Sequence, residues 1–310
     1  MNKIMISASK LLTENRPKAI LRATGDDAFG FLQGQFTNEL RQAPGGGAIY
    51  GLWLNQKGKV VADSHVLGVS EKEFLLVSFG TGAAVIRQRL EDYIVADDVA
   101  LADETESTGG LLIAGAGSGA VLEKVLGAKP VAGRFLSARN AMVFPGRRLP
   151  GENFEIIGPA GTLAGLKERL LTEGFAETSR AELEFVRISA GIPAVPDDIG
   201  PGDLPNEGGL EEAAISYTKG CYLGQEVMAR LKNLGQVRRR LHLVQGHGTA
   251  PAPLAPLYQA DKKVGELRSV ASRGENVVAF AMLSLVTLSH SAGLSLEPSG
   301  PAVLHLARHG

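Results

Sequence analysis

The order in which strand-like and helix-like patterns follow one another is what most constrains this chain. Ala19 to Leu21 reads as a strand, and a helix from Ala28 to about Leu40 follows, with Asp26 or Asp27 as its cap and Phe29, Phe31, Leu32 and Phe36 as its apolar face. A glycine-rich turn leads to a strand over Ile49 to Asn55. Lys57-Gly58 then turns the chain back into Val60 to Val69, which makes a hairpin. Phe74 to Phe79 is a strand and Ala83 to Tyr93 a helix. Further on, Leu111 to Ile113, Ala141 to Phe144 and Phe154 to Ile157 are strands, while Gly119 to Leu126 and Leu163 to Glu173 are helices. Such unequal alternation predicts an α+β fold rather than a doubly wound parallel sheet. Near residue 240 the pattern changes. Pro251, Pro253 and Pro256 exclude a helix there, and short strands follow at Val264 to Val270, Val277 to Leu283 and Val303 to Leu306. A small terminal β-barrel is expected. This divides the chain into residues 1–110, 111–235 and 240–310, the first two being interleaved.

Composition sets outer limits. A formal net charge of −1 gives no global field toward nucleic acid. Glycine makes up 39 of 310 residues, against a typical ~7%, which suits a chain rich in turns. The single cysteine, Cys221, excludes an internal disulfide and a self-contained four-cysteine cluster. No metal site is expected within the chain. The stretch Val277 to Leu288 falls short of the ~20 residues a membrane helix needs. Met1 to Ser7 has no long apolar run, so the cytoplasm is the expected compartment.

Several motifs have ordinary readings. Gly115-Ala116-Gly117-Ser118-Gly119-Ala120 has dinucleotide-fingerprint spacing, yet no Asp or Glu stands between Glu123 and Glu152 to hold a ribose, so a strand–helix turn is the better reading. Ser7-Ala8-Ser9-Lys10 matches Ser-x-x-Lys by chance, and His305 and His309 read as a solvated tail. Arg230, Lys232, Arg238, Arg239 and Arg240 form a basic run with no acid from 227 to 240, a candidate site for an anion such as an RNA phosphate or a glutamyl tail.

Ser216 to Gly235 carries the strongest signal. Gly224 can begin a helix over Gln225 to Leu234, with Glu226 in its first turn and Gly235 as its stop. Cys221 falls just ahead of the helix's positive end and next to Lys219, two influences that favour a thiolate. The competing reading is a small buried hydrophobe.

Lys219-Gly220-Cys221-Tyr222-Leu223-Gly224-Gln225-Glu226 resembles the defining motif of the YgfZ family, relatives of the glycine-cleavage aminomethyltransferase. Phe31-Leu32-Gln33-Gly34-Gln35-Phe36-Thr37-Asn38, Leu54 to Asp63, Arg187 to Pro193 and Leu204-Pro205-Asn206-Glu207 resemble other family segments in the same order, so the likeness runs from about residue 18 to 285. The resemblance implies a T-protein-like three-domain ring with a C-terminal β-barrel and a central channel for tetrahydrofolate or a derivative. It also implies an accessory role in assembly or repair of iron–sulfur clusters in client proteins such as tRNA-modifying enzymes. The alternative is a folate-dependent aminomethyltransferase or demethylase. On this resemblance Cys221 and Lys219 are the reactive pair, and Asn55, Asp63, Arg187, Tyr222, Gln225, Glu226 and Arg230 are the cofactor contacts. Arg238, Arg239 and Arg240 are the expected RNA contacts. Two departures argue against aminomethyl transfer: Ala62-Asp63 offers one acid where those enzymes have a pair, and Ser189 stands in place of a carboxylate. Glu182, Glu184 and Asp198 are the carboxylates that could compensate, and the sequence does not choose among them.

Overall fold

The computed structural model describes residues 10–307; Ser7 to Ser9 of the Ser-x-x-Lys match and His309 lie outside them. In chain order, β1 (Lys10–Glu14) is followed by β2 (Ala19–Thr24), α1 (Ala28–Gln35), β3 (Gly47–Leu54), β4 (Val60–Ser70), β5 (Glu73–Ser78), α2 (Ala83–Glu91) and β6 (Ala100–Asp103). Then come β7 (Gly109–Ala114), α3 (Ser118–Leu126), β8 (Leu136–Ala138), β9 (Ala141–Pro145), β10 (Asn153–Gly158), α4 (Ala160–Thr172), β11 (Phe175–Glu177), α5 (Arg180–Ser189), α6 (Glu211–Ala214) and α7 (Gln225–Leu234). Strands β12 (Arg239–His247), β13 (Pro256–Gln259), β14 (Lys262–Arg273), β15 (Asn276–Ser284) and β16 (Leu304–Leu306) complete the fold.

Three sheets result, ordered β3-β4-β5-β2-β6, β11-β1-β7-β10-β9-β8 and β13-β14-β15-β12-β16. Sheet membership cuts across chain order. Strand β1 precedes the first sheet's strands but pairs with β7 and β11 in the second, so the first sheet is built from an excursion between β1 and β7. The last sheet curls into a barrel, because Ser295 bridges Tyr258 of edge strand β13 and Leu294 bridges Leu304 of edge strand β16.

Apolar contacts decide how the sheets sit. Ile20, Leu67, Leu75 and Val77 of the first sheet pack on Phe144 and Ile157 of the second. Helix α5 stands between the second sheet and the barrel. Its Leu183 and Val186 meet Leu112 and Leu149 on one side, while Phe185 and Ile188 meet Val278 and Phe280 on the other. A buried ion pair fixes the same joint: Arg187 donates to Asp198 at 2.6 Å, and Asp198 accepts from the Ser269 backbone N–H of β14. The α+β ring with a terminal barrel is thus present, closed through α5. Among the described residues no helix is long and apolar enough to cross a membrane.

Two expected elements differ. Helix α1 stops at Gln35 rather than Leu40, because Phe36 turns extended to bridge Trp53 and packs on its ring at 4.7 Å. Asp27 holds the N-cap position without capping; its carboxylate accepts from the Asp98 backbone N–H instead. The glycines at 115–119 form a strand–helix turn in which a Cβ on Gly119 would stand 2.4 Å from the Glu152 carboxylate.

Candidate functional site

The residues expected to act together fall into two places joined by one hairpin. Inside the ring lies a cavity of about 260 Å³, walled by Tyr50, Asp63, His65 and Val77 of the first sheet, Leu112 of the second, Arg147 to Leu149 of the β9–β10 loop, and Arg180, Leu183, Glu184 and Arg187 of α5 with the loop after it. Asp63 projects from β4 and accepts from the Tyr50 hydroxyl at 3.0 Å and from Ser78 at 3.4 Å. Arg147 donates to the same Tyr50 oxygen at 3.0 Å and lies over the Tyr50 ring at 4.0 Å. Burial pushes the Asp63 carboxyl upward, and Arg147 offsets part of this. Next to it, His65 is wedged between Tyr50 and Phe144, with ring centroids 5.2 and 5.0 Å away. Burial, with Arg147 and Arg148, pushes it down to about 3, so it is a neutral wall of the cavity at physiological pH.

Arg187, expected among the cofactor contacts, also lines this cavity. Its donors are taken by Glu184, Asp198 and the Ile192 carbonyl. What it offers the cavity is a fixed Glu184. The three candidate carboxylates separate accordingly: Asp198 is fully buried in its ion pair, Glu182 pairs with Arg273, and only Glu184 lines the cavity. Ser189 Oγ is buried without a hydrogen-bond partner.

The second place is the junction that presents Cys221. Lys219 is buried, and its ammonium donates to the carbonyls of Gln33, Phe36 and Asn38 at 2.7, 2.6 and 3.0 Å. Burial pushes it down to about 8, which leaves it charged at neutral pH. Lys219 was expected to support the Cys221 thiolate; it instead ties the loop to the end of α1, since a buried ammonium needs its donors satisfied. Leu223 N–H donates to the Gly34 carbonyl. Gly224, with φ +85°, lies on the β3–β4 turn, where a Cβ would stand 2.9 Å from the Asn55 carbonyl. Gly58 in turn faces Val227 and Met228 of α7. Asn55 is itself the turn's keystone: its Oδ1 accepts from Lys57 and Lys59 N–H. Tyr222 is buried in an apolar cluster with Leu54, Val60, Met228 and Met282, where burial raises its hydroxyl pKa. None of Asn55, Tyr222, Gln225, Glu226 and Arg230, expected as cofactor contacts, lines the cavity: Asn55 lies in the turn, Tyr222 in the core, Gln225 and Glu226 at the start of α7, and Arg230 is exposed on α7. Cys221 is exposed, in the loop just before α7. Among the described residues no group of three or more His, Cys, Asp or Glu is placed to hold a metal.

Sequence reading missed Tyr50, His65, Arg147 and Arg148 as cavity residues. The available signal was the adjacent pair Arg147-Arg148 after Pro145-Gly146, two charges at a turn that must be answered; Arg148 is answered by buried Glu155 at 2.8 Å. The expected RNA contacts also divide. Arg239 pairs with Asp203 and Glu207, while Arg238 and Arg240 are exposed.

A carboxylate-bearing cavity thus lies between two sheets and is walled by α5, on whose other side the barrel packs. Residues 19–219 match the GCVT N-terminal domain, and residues 238–305 match the CAF17 C-terminal β-barrel domain. The chain therefore belongs to the GCVT-domain family, in the YgfZ/CAF17 group that pairs this domain with that barrel. It is 28% identical to the tRNA-modifying protein YgfZ of Yersinia enterocolitica over 76% of this chain and 71% of that one. It is 26% identical to the mitochondrial iron-sulfur cluster assembly factor IBA57 of Mus musculus, over 87% of this chain and 76% of that one. The crystal structure of the glycine cleavage system aminomethyltransferase T from Bartonella henselae superimposes with a TM-score of 0.82 at 18% identity, covering 97% and 85% of the two chains, which shows the shared fold.

Proposed function

We propose that the protein is a folate-binding accessory factor in assembly or repair of iron–sulfur clusters in client enzymes, including those that modify tRNA. The observation that carries the reading is Cys221, an exposed thiol in a loop held by Lys219 on one side and by the β3–β4 turn on the other. A thiol so placed is rigid, accessible and alone in the chain, so any cluster it touches is completed by ligands of a partner. The names of the YgfZ and IBA57 relatives support tRNA modification and cluster assembly as the setting. A reducing compartment such as the cytoplasm suits an exposed thiol.

The cavity suits tetrahydrofolate or a derivative. Asp63 and Glu184 can accept from a pterin edge, Arg147 offers a cationic plane, and Lys18 and Arg180 on the wall can meet an anionic tail. A bound folate supplies a one-carbon acceptor; the protein's part is to orient it and limit water around it. The aminomethyltransferase or demethylase alternative rests on Asp63 as the carboxylate that steers the amine, and is tested by turnover with tetrahydrofolate and methylamine donors. For RNA contact, Arg238 and Arg240 are the charges free to meet a phosphate.

The test of the main reading is restoration of a cluster-dependent tRNA-modifying activity in cells lacking this chain. Wild type should restore it, and Cys221→Ala should not while retaining the wild-type melting temperature. Full restoration by Cys221→Ala would remove the thiol from the mechanism.

A further inference from the structure

Around Cys221 the surface carries several exposed cations. The core under this face is continuous: Leu54 and Val60 of the hairpin, Tyr222, Val227, Met228 and Leu231 of the motif and α7, Leu241 of β12 and Met282 of β15 share one apolar cluster. The elements above it are therefore neighbours. They carry Lys57 and Lys59 on the turn, Arg230 and Lys232 on α7, and Arg238 and Arg240 around the start of β12, with Glu226 as the acid of α7; Arg239, between the two arginines, is answered by the buried carboxylates of Asp203 and Glu207.

A second observation separates this face from an ordinary solvated one. The Arg238 carbonyl accepts from the Leu285 backbone N–H at 2.9 Å, which places the Leu285-Val286 turn beside the arginines. Leu285 is 41% exposed and Val286 81% exposed. Two adjacent aliphatic side chains lie in water beside arginines; arginine is enriched at protein interfaces, and the buried centre of such a patch is more apolar than its rim. No exposed aromatic ring stands among these residues: Tyr222 is buried and Lys232 covers the Tyr217 ring at 4.2 Å. Single-stranded RNA recognition depends on such rings for stacking. Helix α7, ten residues long and so roughly 15 Å from end to end, lies between the Cys221 loop and the segment that carries Arg238. An interface side of ~800 Å² is roughly 30 Å across, so one partner can cover both.

We propose that this face docks an acidic iron–sulfur protein, with Lys57, Arg230, Arg238 and Arg240 steering it and Leu285-Val286 as the apolar anchor, so that the partner's cluster ligands arrive at Cys221. The proposal rests on the accessory-factor reading for the identity of the partner, but docking is read without any cluster chemistry, so the two fail separately. The test measures binding of a plant-type ferredoxin, acidic and carrying its own [2Fe–2S] centre, and of bulk tRNA, by calorimetry at 50 and 200 mM salt. Wild type is expected to bind the ferredoxin, at least fivefold more weakly at the higher salt. Arg230→Glu/Arg238→Glu/Arg240→Glu should weaken it at least tenfold, and Val286→Ser about threefold with an unchanged salt dependence; circular dichroism confirms that both variants are folded. Absence of ferredoxin binding by wild type, or binding indifferent to both variants, overturns the proposal. So does tRNA binding tighter than ferredoxin binding and lost in the triple variant, which would assign the face to nucleic acid.

Discussion

Asp63 and His65 stand two residues apart on one face of β4 and titrate in opposite senses. Burial raises Asp63, so its contribution to stability is fully present below the ordinary carboxylate range and is lost as pH rises through its folded value. At pH 7 the charge therefore costs stability, which a ligand can offset. Asp63→Asn should melt higher than wild type at pH 7, the two curves converging below about pH 4. His65 is held down to about 3, so its stability contribution is present above its ordinary value near 6.5 and is lost as pH falls toward 3. Because its neighbours are Tyr50 and Phe144, His65→Phe should keep the packing and remove part of the acid sensitivity between pH 6.5 and 3, measured by denaturant unfolding across that range. An unchanged acid limb would contradict the buried neutral imidazole. Asp63 was legible because it sits in a recognisable hairpin segment. Tyr50, His65 and Arg147 were not, since a cavity joins strands from two sheets and nothing in local spacing reports that meeting.

At the scale of elements, the motifs that resemble the family are largely one joint. Segment 31–38 receives Lys219, and segment 54–63 receives Gly224. Helix α7 has the bounds that its glycines predict, with Gly224 and Gly235 at its ends, because φ near +85° at Gly224 is a conformation that side-chain-bearing residues rarely adopt. Gly224→Ala adds that strain to a clash with the Asn55 carbonyl. It should cost about 2 kcal/mol or more and disturb the Cys221 loop, seen as a lower melting temperature together with altered thiol-labelling kinetics. Helix α5 escaped the sequence reading although its start carries a legible signal: Ser179 accepts from the Glu182 N–H, three residues on. Its polar first turn hid a helix that is apolar on two sides.

Across the whole molecule, α5 is what makes a ring of three sheets, and Arg187 is the residue that most directly fastens it to the barrel. Removing the guanidinium leaves Asp198 charged and fully buried, so Arg187→Ala should cost about 3–5 kcal/mol and loosen the cavity wall at Glu184. Closure was legible only in outline: proline spacing announced a terminal barrel, but the return of β1 to the second sheet depends on pairings more than 90 residues apart. The resulting architecture separates two labours. On the proposed reading a ligand is held inside the ring, while a thiol is presented outside it on a joint built from the same hairpin. Asp63 pairs with Leu52, three residues before the turn at Asn55, so roughly 10 Å of strand separates them. Tetrahydrofolate affinity, measured side by side for wild type, Cys221→Ala and Asp63→Asn, tests this separation most directly. Affinity should fall at least tenfold with Asp63→Asn and stay within twofold of wild type with Cys221→Ala; equal loss in both variants, or none with Asp63→Asn, would contradict it.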